Sequence, residues 1–120
     1  QKSKKQEEIE LYGSGKESRD FIYIDDLLDA IDTLIKNAKF EGEVVNVSSG
    51  IEIKIKDVAK VFIEILGSKK KINFNQKTKE GDPKNWRADI SILKSFGFTP
   101  KTTINDGLKK YCEWLKKEKL

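Results

Sequence analysis

The stretch GSGKESRDFIYIDDLLDAI, residues 13–31, decides how the chain begins to fold. Two glycines and a lysine lead into a short aromatic segment, which predicts a β-strand over residues 20–24. Asp25 then stands where a helix N-cap belongs, and apolar residues recur behind it at helical spacing. The loop before the strand could therefore cradle a phosphate, or it could be a turn between two strands.

Motif spacing favours the turn. A Walker A loop needs four residues between its first glycine and a Gly-Lys pair, followed by a hydroxyl residue. Residues 13–17 read Gly-Ser-Gly-Lys-Glu, which is too short and ends in an acid. A dinucleotide-binding fingerprint fails as well, because no third glycine follows and no helix opens at once. Tyr12 and Lys16 have the spacing of a reductase Tyr-x-x-x-Lys pair, but the glycines between them argue against the helix that this pair requires.

Beyond this stretch, short strands alternate with amphipathic helices. Strands are predicted at residues 9–12, 43–47 and 71–74, and helices end at 37–39, at Gly67 and at Gly97. Thr103 with Asp106 resembles a capping box that opens a last helix, whose apolar face includes Cys112. The predicted fold class is therefore α/β, with helices around short strands.

Composition narrows the classes of function. The chain is 37% apolar and 37% charged, with one cysteine and no run of apolar residues that could span a membrane. We expect one domain and a cytoplasmic protein without disulfides. Because the sequence lacks methionine even at position 1, we also expect it to be part of a longer protein. The net charge of +4 is spread among acids, which is typical of a solvated surface.

The sequence contains no self-contained catalytic centre. Histidine is absent, which removes His-based triads and His metal ligands, and Cys112 is predicted to lie in the core. Asp25 and Asp26 are explained by the preference of acids for a helix start. Arg19 and Arg87 are the only arginines in a chain that otherwise uses lysine, so each is a candidate for planar recognition of phosphate or carboxylate.

Three segments in order resemble one family: ELYGSGKESRDFIYIDDLLDAI, then GEVVNVSSG, then EGDPKNWRADISILKSFGFTPKTTINDGLKKYCEWL. They are similar to the C-terminal part of the NAD-dependent nucleotide-sugar epimerases and dehydratases, the extended short-chain dehydrogenase/reductases that include UDP-glucose 4-epimerase. The resemblance covers nearly the whole chain. It implies that the Rossmann part, with its NAD fingerprint and catalytic Tyr-x-x-x-Lys, lies outside this sequence.

The resemblance also implies site residues. Glu10, Leu11 and Tyr12 match the family's strand beside the nucleobase, and Arg19 matches the arginine of its RDF motif, which binds the diphosphate. Asp82 matches the acid that contacts the ribose hydroxyls. A surface pair of Arg19 with Asp20 or Glu17, and an ordinary strand position for Tyr12, are the alternatives.

Departures from the family pattern affect two places. Lys79 stands where relatives have a second phosphate-binding arginine, so it keeps the charge without the planar fork; Arg87 is the candidate to compensate if its side chain points inward. Lys54 replaces a Ser or Thr N-cap, a loss that Asp57 in the first turn offsets in part.

The predicted organisation is a frayed polar segment at residues 1–8 and a nucleotide-sugar-binding domain at 9–120. Residues 43–47 are expected to pair at the edge of the absent Rossmann sheet, which would bind NAD. The expected partners are a nucleotide-diphosphate sugar and the protein's own Rossmann part, with homodimerisation left open, no nucleic acid and no membrane. We expect this chain alone to be inactive. The alternatives are a basic module that binds RNA or another polyanion, and a catalytically silent family member.

Overall fold

The computed structural model describes residues 8–118. Within them lie four strands and four helices: β1 (Glu8–Leu11), β2 (Ser18–Asp20), α1 (Ile24–Asn37), β3 (Glu52–Lys54), α2 (Ile55–Leu66), β4 (Lys71–Phe74), α3 (Ser91–Ser95) and α4 (Ile104–Lys117). The strands form two separate pairs: β1 runs parallel to β4, and β2 runs antiparallel to β3. The predicted α/β class is confirmed, whereas the predicted frayed segment lies almost entirely outside the described residues.

The first helix begins earlier than predicted. Tyr23 occupies the N-cap position of α1, so the strand predicted at residues 20–24 and the cap predicted at Asp25 are both wrong. The carbonyl oxygen of Tyr23 already accepts the first helical hydrogen bond, from the N–H of Leu27 at 3.0 Å. In this first turn, the carboxylate of Asp26 reaches across to a distant loop. It accepts hydrogen bonds from the backbone N–H groups of Lys101 and Thr102, at 3.0 and 2.8 Å, and from the Thr102 hydroxyl at 2.9 Å. This non-local contact fixes the orientation of α1.

The N-terminus of α2 is bonded to the turn at residues 13–17. Lys54 occupies the N-cap position of α2. As the sequence predicts, it provides no side-chain cap, because an ammonium group has no acceptor for the N–H groups of the helix. Instead the carbonyl oxygens of Glu17 and Gly15 accept from the N–H groups of Ile55 and Lys56, at 2.8 and 3.0 Å. The turn at residues 13–17 therefore supplies acceptors for two N–H groups at the start of α2, where Lys54 offers no side-chain oxygen. That turn is also confirmed as a turn and not as the start of a helix.

The helix ends and the last helix follow the sequence prediction. Gly67 closes α2 with a φ of 63°, in the left-handed region that favours glycine. The Thr103 hydroxyl oxygen caps α4 by accepting from the N–H of Asp106 at 3.2 Å. Cys112 is buried on α4, which confirms its place in the core.

Residues 43–47 do not form the predicted strand. No strand in the described residues lies beside them, and backbone hydrogen bonds to a neighbour are what define a strand. Val45 and Val47 pack against the core, whereas Val44 is 84% exposed. The segment is extended backbone without a sheet.

The core is small. Its buried cluster consists of Ala30, Ile90, Leu93 and Phe98, and it joins α1 to α3 and to the segment at 43–47. Several aromatic side chains remain on the surface, among them Trp86 and Trp114. No helix in the described part of the chain is long and apolar enough to cross a membrane.

Candidate functional site

The glycine turn satisfies its own backbone donors. The Glu17 carboxylate accepts from the N–H of Ser14 at 3.0 and 3.1 Å and from its hydroxyl at 2.9 Å, while the N–H of Gly13 donates to the Asn75 side chain. The N–H groups of a phosphate cradle must point at the ligand, whereas these are engaged within the protein. The hydrogen bonds from Ser14, led by its N–H, lower the pKa of Glu17 from 4.5 to about 2. The turn is a support for the strand that follows.

Arg19 lies on β2, directly after this turn, and its guanidinium is held by oxygen atoms on one side. Nη1 donates to the carbonyl oxygens of Ser18 and Pro83, at 2.7 and 2.9 Å. Nη2 donates to Asp82 Oδ1 at 2.7 Å, forming an ion pair in which the arginine side chain is 24% exposed. Two residues that the resemblance implied separately, Arg19 and Asp82, are therefore in direct contact.

The alternative partners of Arg19 are engaged elsewhere. Asp20 accepts at Oδ1 from the N–H and hydroxyl of Ser49, at 3.0 and 2.7 Å, and at Oδ2 from the N–H groups of Gly50 and Ala88, at 3.0 and 3.1 Å. Burial of Asp20 would raise its pKa, but these hydrogen bonds outweigh burial and lower the pKa below its usual value. Asp20 thus ties β2 to two loops, a role that the sequence analysis missed although the residue adjoins Arg19.

The loop that carries Asp82 is tied to β2 at a second point. The N–H of Ser18 donates to the carbonyl of Lys84 at 2.9 Å. The side chain of Asn85 donates to the Ser18 hydroxyl and to Glu52, both at 2.8 Å, and Ser18 also bonds to Glu52. These contacts fix the approach of the loop to the strand, and Asn85 carried no motif that would have identified it from sequence.

Two cavities adjoin the Arg19–Asp82 pair. One, of about 400 Å³, is lined by Asp82 and by three lysines, Lys16, Lys79 and Lys84. The other, of about 360 Å³, is lined by Arg19 and by the exposed ring of Trp86, together with Asp20 and residues 46–48. The ion pair therefore has one partner on each cavity. The cavity of Asp82 has three lysines against two carboxylates, since Glu17 lines it as well, and the cavity of Arg19 has one acid, Asp20.

The residues predicted on β1 are only partly brought together. Tyr12 lies just beyond the strand, with the Lys79 ammonium 6.0 Å from the centre of its exposed ring, a separation at the limit of a cation–π contact. Glu10 is exposed and Leu11 is half-buried, because successive residues of a strand face opposite sides. Lys79 thus lines the same cavity as Asp82 and lies near Tyr12, whereas Leu11 and Glu10 face opposite sides of the strand.

Arg87 does not join this group. Its side chain is exposed, contrary to the inward orientation that compensation for Lys79 would require. It lines a separate cavity of about 300 Å³ with Gly50, Asp89 and Lys94. The second arginine is therefore not placed at the ion pair.

The residues of this chain do not fit a dinucleotide cofactor. The sequence has no glycine fingerprint that opens a helix, and Tyr12 and Lys16 lie after a strand and in a turn, not on one helix face. No step of a hydride transfer can be assigned to these residues.

The chain is similar in sequence to one family and to several known proteins. Residues 1–48 match the family described as NAD dependent epimerase/dehydratase family. The chain is 38% identical over 114 residues to the putative GDP-L-fucose synthase 2 of Arabidopsis thaliana, and the match covers 94% of this chain and 34% of that protein. It is 34% identical over 105 residues to the GDP-L-fucose synthase of Sinorhizobium fredii, with 88% and 33% covered.

Solved structures of two UDP-sugar 4-epimerases resemble most of this chain. The UDP-glucose 4-epimerase of Thermotoga maritima, determined with UDP-glucose, superimposes with a TM-score of 0.83 at 27% identity, covering 94% of this chain and 36% of that one. A UDP-glucuronic acid 4-epimerase from Bacillus cereus, in complex with a fluorinated UDP-sugar and NAD, gives 0.82 at 29% identity, with 92% and 36% covered.

The proteins that this chain resembles include GDP-L-fucose synthases and UDP-sugar 4-epimerases. Within this chain, the match to the NAD dependent epimerase/dehydratase family spans residues 1–48, and similarity to relatives of this kind extends over most of the chain. The chain spans about a third of the length of the curated relatives that it matches.

Proposed function

We propose that this chain is the nucleotide-sugar-binding portion, from the C-terminal part, of an NAD(P)-dependent nucleotide-sugar epimerase, dehydratase or reductase. Its role is to hold the nucleoside diphosphate of the substrate. NAD(P) and the hydride-transfer residues belong to the remainder of the protein. The proposed substrate-binding domain covers residues 9–120.

The placement of Arg19 is the single observation that carries the proposal. Arg19 lines one cavity together with the ring of Trp86, and its ion-pair partner Asp82 lines a second cavity together with three lysines. A planar fork within a cationic surface suits the two negative phosphates of a nucleotide sugar. Relatives of this chain have been solved with UDP-glucose and with a UDP-glucuronic acid analogue, which supports this class of ligand.

An unpartnered apolar surface supports the proposal that the chain is part of a larger protein. Ile24, Leu28, Ile31 and Ile35 recur along one face of α1 and are between 44% and 63% exposed. Beside this helix, residues 43–47 present backbone without a strand neighbour. A helix face and an extended segment of this kind are what one layer of a sheet domain offers to the rest of that domain.

The shape of the chain agrees with this proposal. Its radius of gyration is 17.8 Å, whereas a compact domain of this length has about 13–14 Å. A small core and an extended shape are expected when further chain completes the domain. The partner surface on the Rossmann part, homodimerisation and a cytoplasmic location remain predictions.

The test is ligand binding by the intact protein that contains this chain. UDP-glucose, UDP-glucuronic acid and GDP-fucose are titrated by calorimetry and by thermal shift. We expect at least one to bind and to raise the melting temperature, since a ligand that binds only the folded state stabilises it. Lys109→Ala, which removes an exposed positive charge on α4, is the control and should bind as the parent does.

A single-stranded RNA of mixed sequence is the contrasting ligand. Tyr111 and Trp114 stack on α4 with ring centres 5.8 Å apart and both are partly exposed, which is the arrangement that base stacking would use. RNA binding with steep salt dependence, together with no response to any nucleotide sugar, would favour the polyanion-binding module and refute the proposal.

A further inference from the structure

Arg19 keeps two donors of its guanidinium available. Nη1 uses both of its hydrogens, on the carbonyls of Ser18 and Pro83, and Nη2 uses one hydrogen on Asp82. An arginine has five N–H donors in a fixed plane. Within residues 8–118, no acceptor engages Nε–H or the second hydrogen of Nη2, so two donors of the plane remain for a ligand. Charged donors of this kind bind phosphate oxygens.

We propose that Asp82 is a positioning residue for Arg19, and that its contribution to nucleotide binding passes through the guanidinium. The inference rests on the proposed function, because it concerns the same ligand. Asp82 holds Nη2 and the Pro83 carbonyl holds Nη1, so the plane of the guanidinium is oriented before any ligand arrives. Preorganisation of this kind removes an ordering cost from binding.

The pair is better suited to orientation than to stability. The Arg19 side chain is 24% exposed and that of Asp82 is 50% exposed, and partly exposed ion pairs add little to the free energy of folding. The Asp82 side chain joins a loop to β2 at the residue that would meet the diphosphate. Removing Asp82 should consequently affect ligand affinity more than melting temperature.

One electrostatic effect opposes the proposal. The charge of Asp82 repels a diphosphate, so losing it could improve binding. Glu17 lines the same cavity and adds a second negative charge, but Lys16, Lys79 and Lys84 line it too and outnumber the two carboxylates. Positioning predicts weaker binding after Asp82→Ala, whereas dominant repulsion predicts tighter binding, so the sign of the change decides between them.

The experiment uses the intact protein and four nucleotides: GDP, UDP and their 2′,3′-dideoxy forms. Dissociation constants are measured by calorimetry for the parent and for Arg19→Ala, Asp82→Ala and the double variant. Asp82→Glu tests rescue, since it restores the carboxylate on a longer stem. Glu80→Ala is the matched control, because it removes an exposed acid two residues away on the same loop.

We expect Asp82→Ala to weaken binding of the ribose and dideoxyribose forms by the same factor, about five- to tenfold, as for other coupled charge pairs. The double variant should bind no more weakly than Arg19→Ala alone. Asp82→Glu should recover part of the loss, and Glu80→Ala should bind as the parent does.

Three results would overturn the inference. The first is a loss confined to the ribose forms, which would make Asp82 a ribose ligand. The second is a double variant whose loss of affinity equals the product of the losses in Arg19→Ala and Asp82→Ala, because the two residues would then act independently. The third is tighter nucleotide binding by Asp82→Ala. If the folded parent binds neither GDP nor UDP, the proposed function itself fails, and the inference fails with it.

Discussion

The ring of Phe74 lies over Gly15 so closely that a Cβ added to this glycine would stand 2.7 Å from the ring. Gly15 also has a φ of 76°, in the left-handed region. The contact with Phe74 holds the turn against β4. The positive φ requires glycine at this position.

Gly15→Ala should therefore destabilise the chain through two effects. The left-handed conformation costs an alanine about 1–2 kcal/mol, and forcing a methyl group against packed atoms costs about 1–3 kcal/mol more. Gly67→Ala is the control, because its φ is 63° and nothing lies within 4 Å of its Cβ position. Urea unfolding should show a larger loss for Gly15→Ala than for Gly67→Ala, and equal losses would contradict the packing of Phe74 on the turn.

Acid should weaken the turn through Glu17. The folded-state pKa of Glu17 is lowered from 4.5 to about 2, so the unfolded chain takes up its proton first as the pH falls. The stabilisation is therefore present above about pH 4.5 and is lost as the pH drops towards 2. The stability difference between the parent and Glu17→Gln should shrink across that interval in urea unfolding. A difference that stays constant from neutral pH to the acid limit would show that Ser14 does not hold the carboxylate.

Arg19→Ala should weaken nucleotide-sugar binding by the intact protein. A charge-assisted phosphate contact contributes about 1.5–3 kcal/mol, which corresponds to roughly ten- to a hundredfold in the dissociation constant. Arg19→Lys should recover only part of this, since lysine keeps the charge and loses the planar fork. Melting temperature and NAD affinity serve as controls and should change little. Unaltered nucleotide-sugar affinity in Arg19→Ala would remove Arg19 from the site.

The chain without the rest of its protein should self-associate. The exposed apolar face of α1 and the unpaired backbone at residues 43–47 are both surfaces that a second copy can cover. Leu28→Lys places a charge on that face and should reduce association in sedimentation velocity, whereas Thr99→Lys, at an exposed loop position, should not. A monodisperse monomer at high concentration with strong amide protection at residues 43–47 would be evidence against this prediction.

The sequence by itself determined the features that depend on neighbouring residues. Gly67 ends α2 because it tolerates the left-handed conformation, and Thr103 starts α4 because its oxygen reaches an N–H three residues ahead. The turn character of residues 13–17 also follows from local glycine spacing. Arg19 was identified as a candidate by its residue type and by resemblance, and its role as a ligand remains a prediction.

The tertiary structure decided whatever depends on residues far apart in the chain. Asp26 ties the first turn of α1 to Lys101 and Thr102, more than seventy residues away, a contact that no local pattern encodes. The pairing of Arg19 with Asp82 is equally non-local. Residues 43–47 have the composition of a strand but form none here, because a strand requires a neighbour for its backbone N–H and C=O groups, and side chains alone cannot provide one.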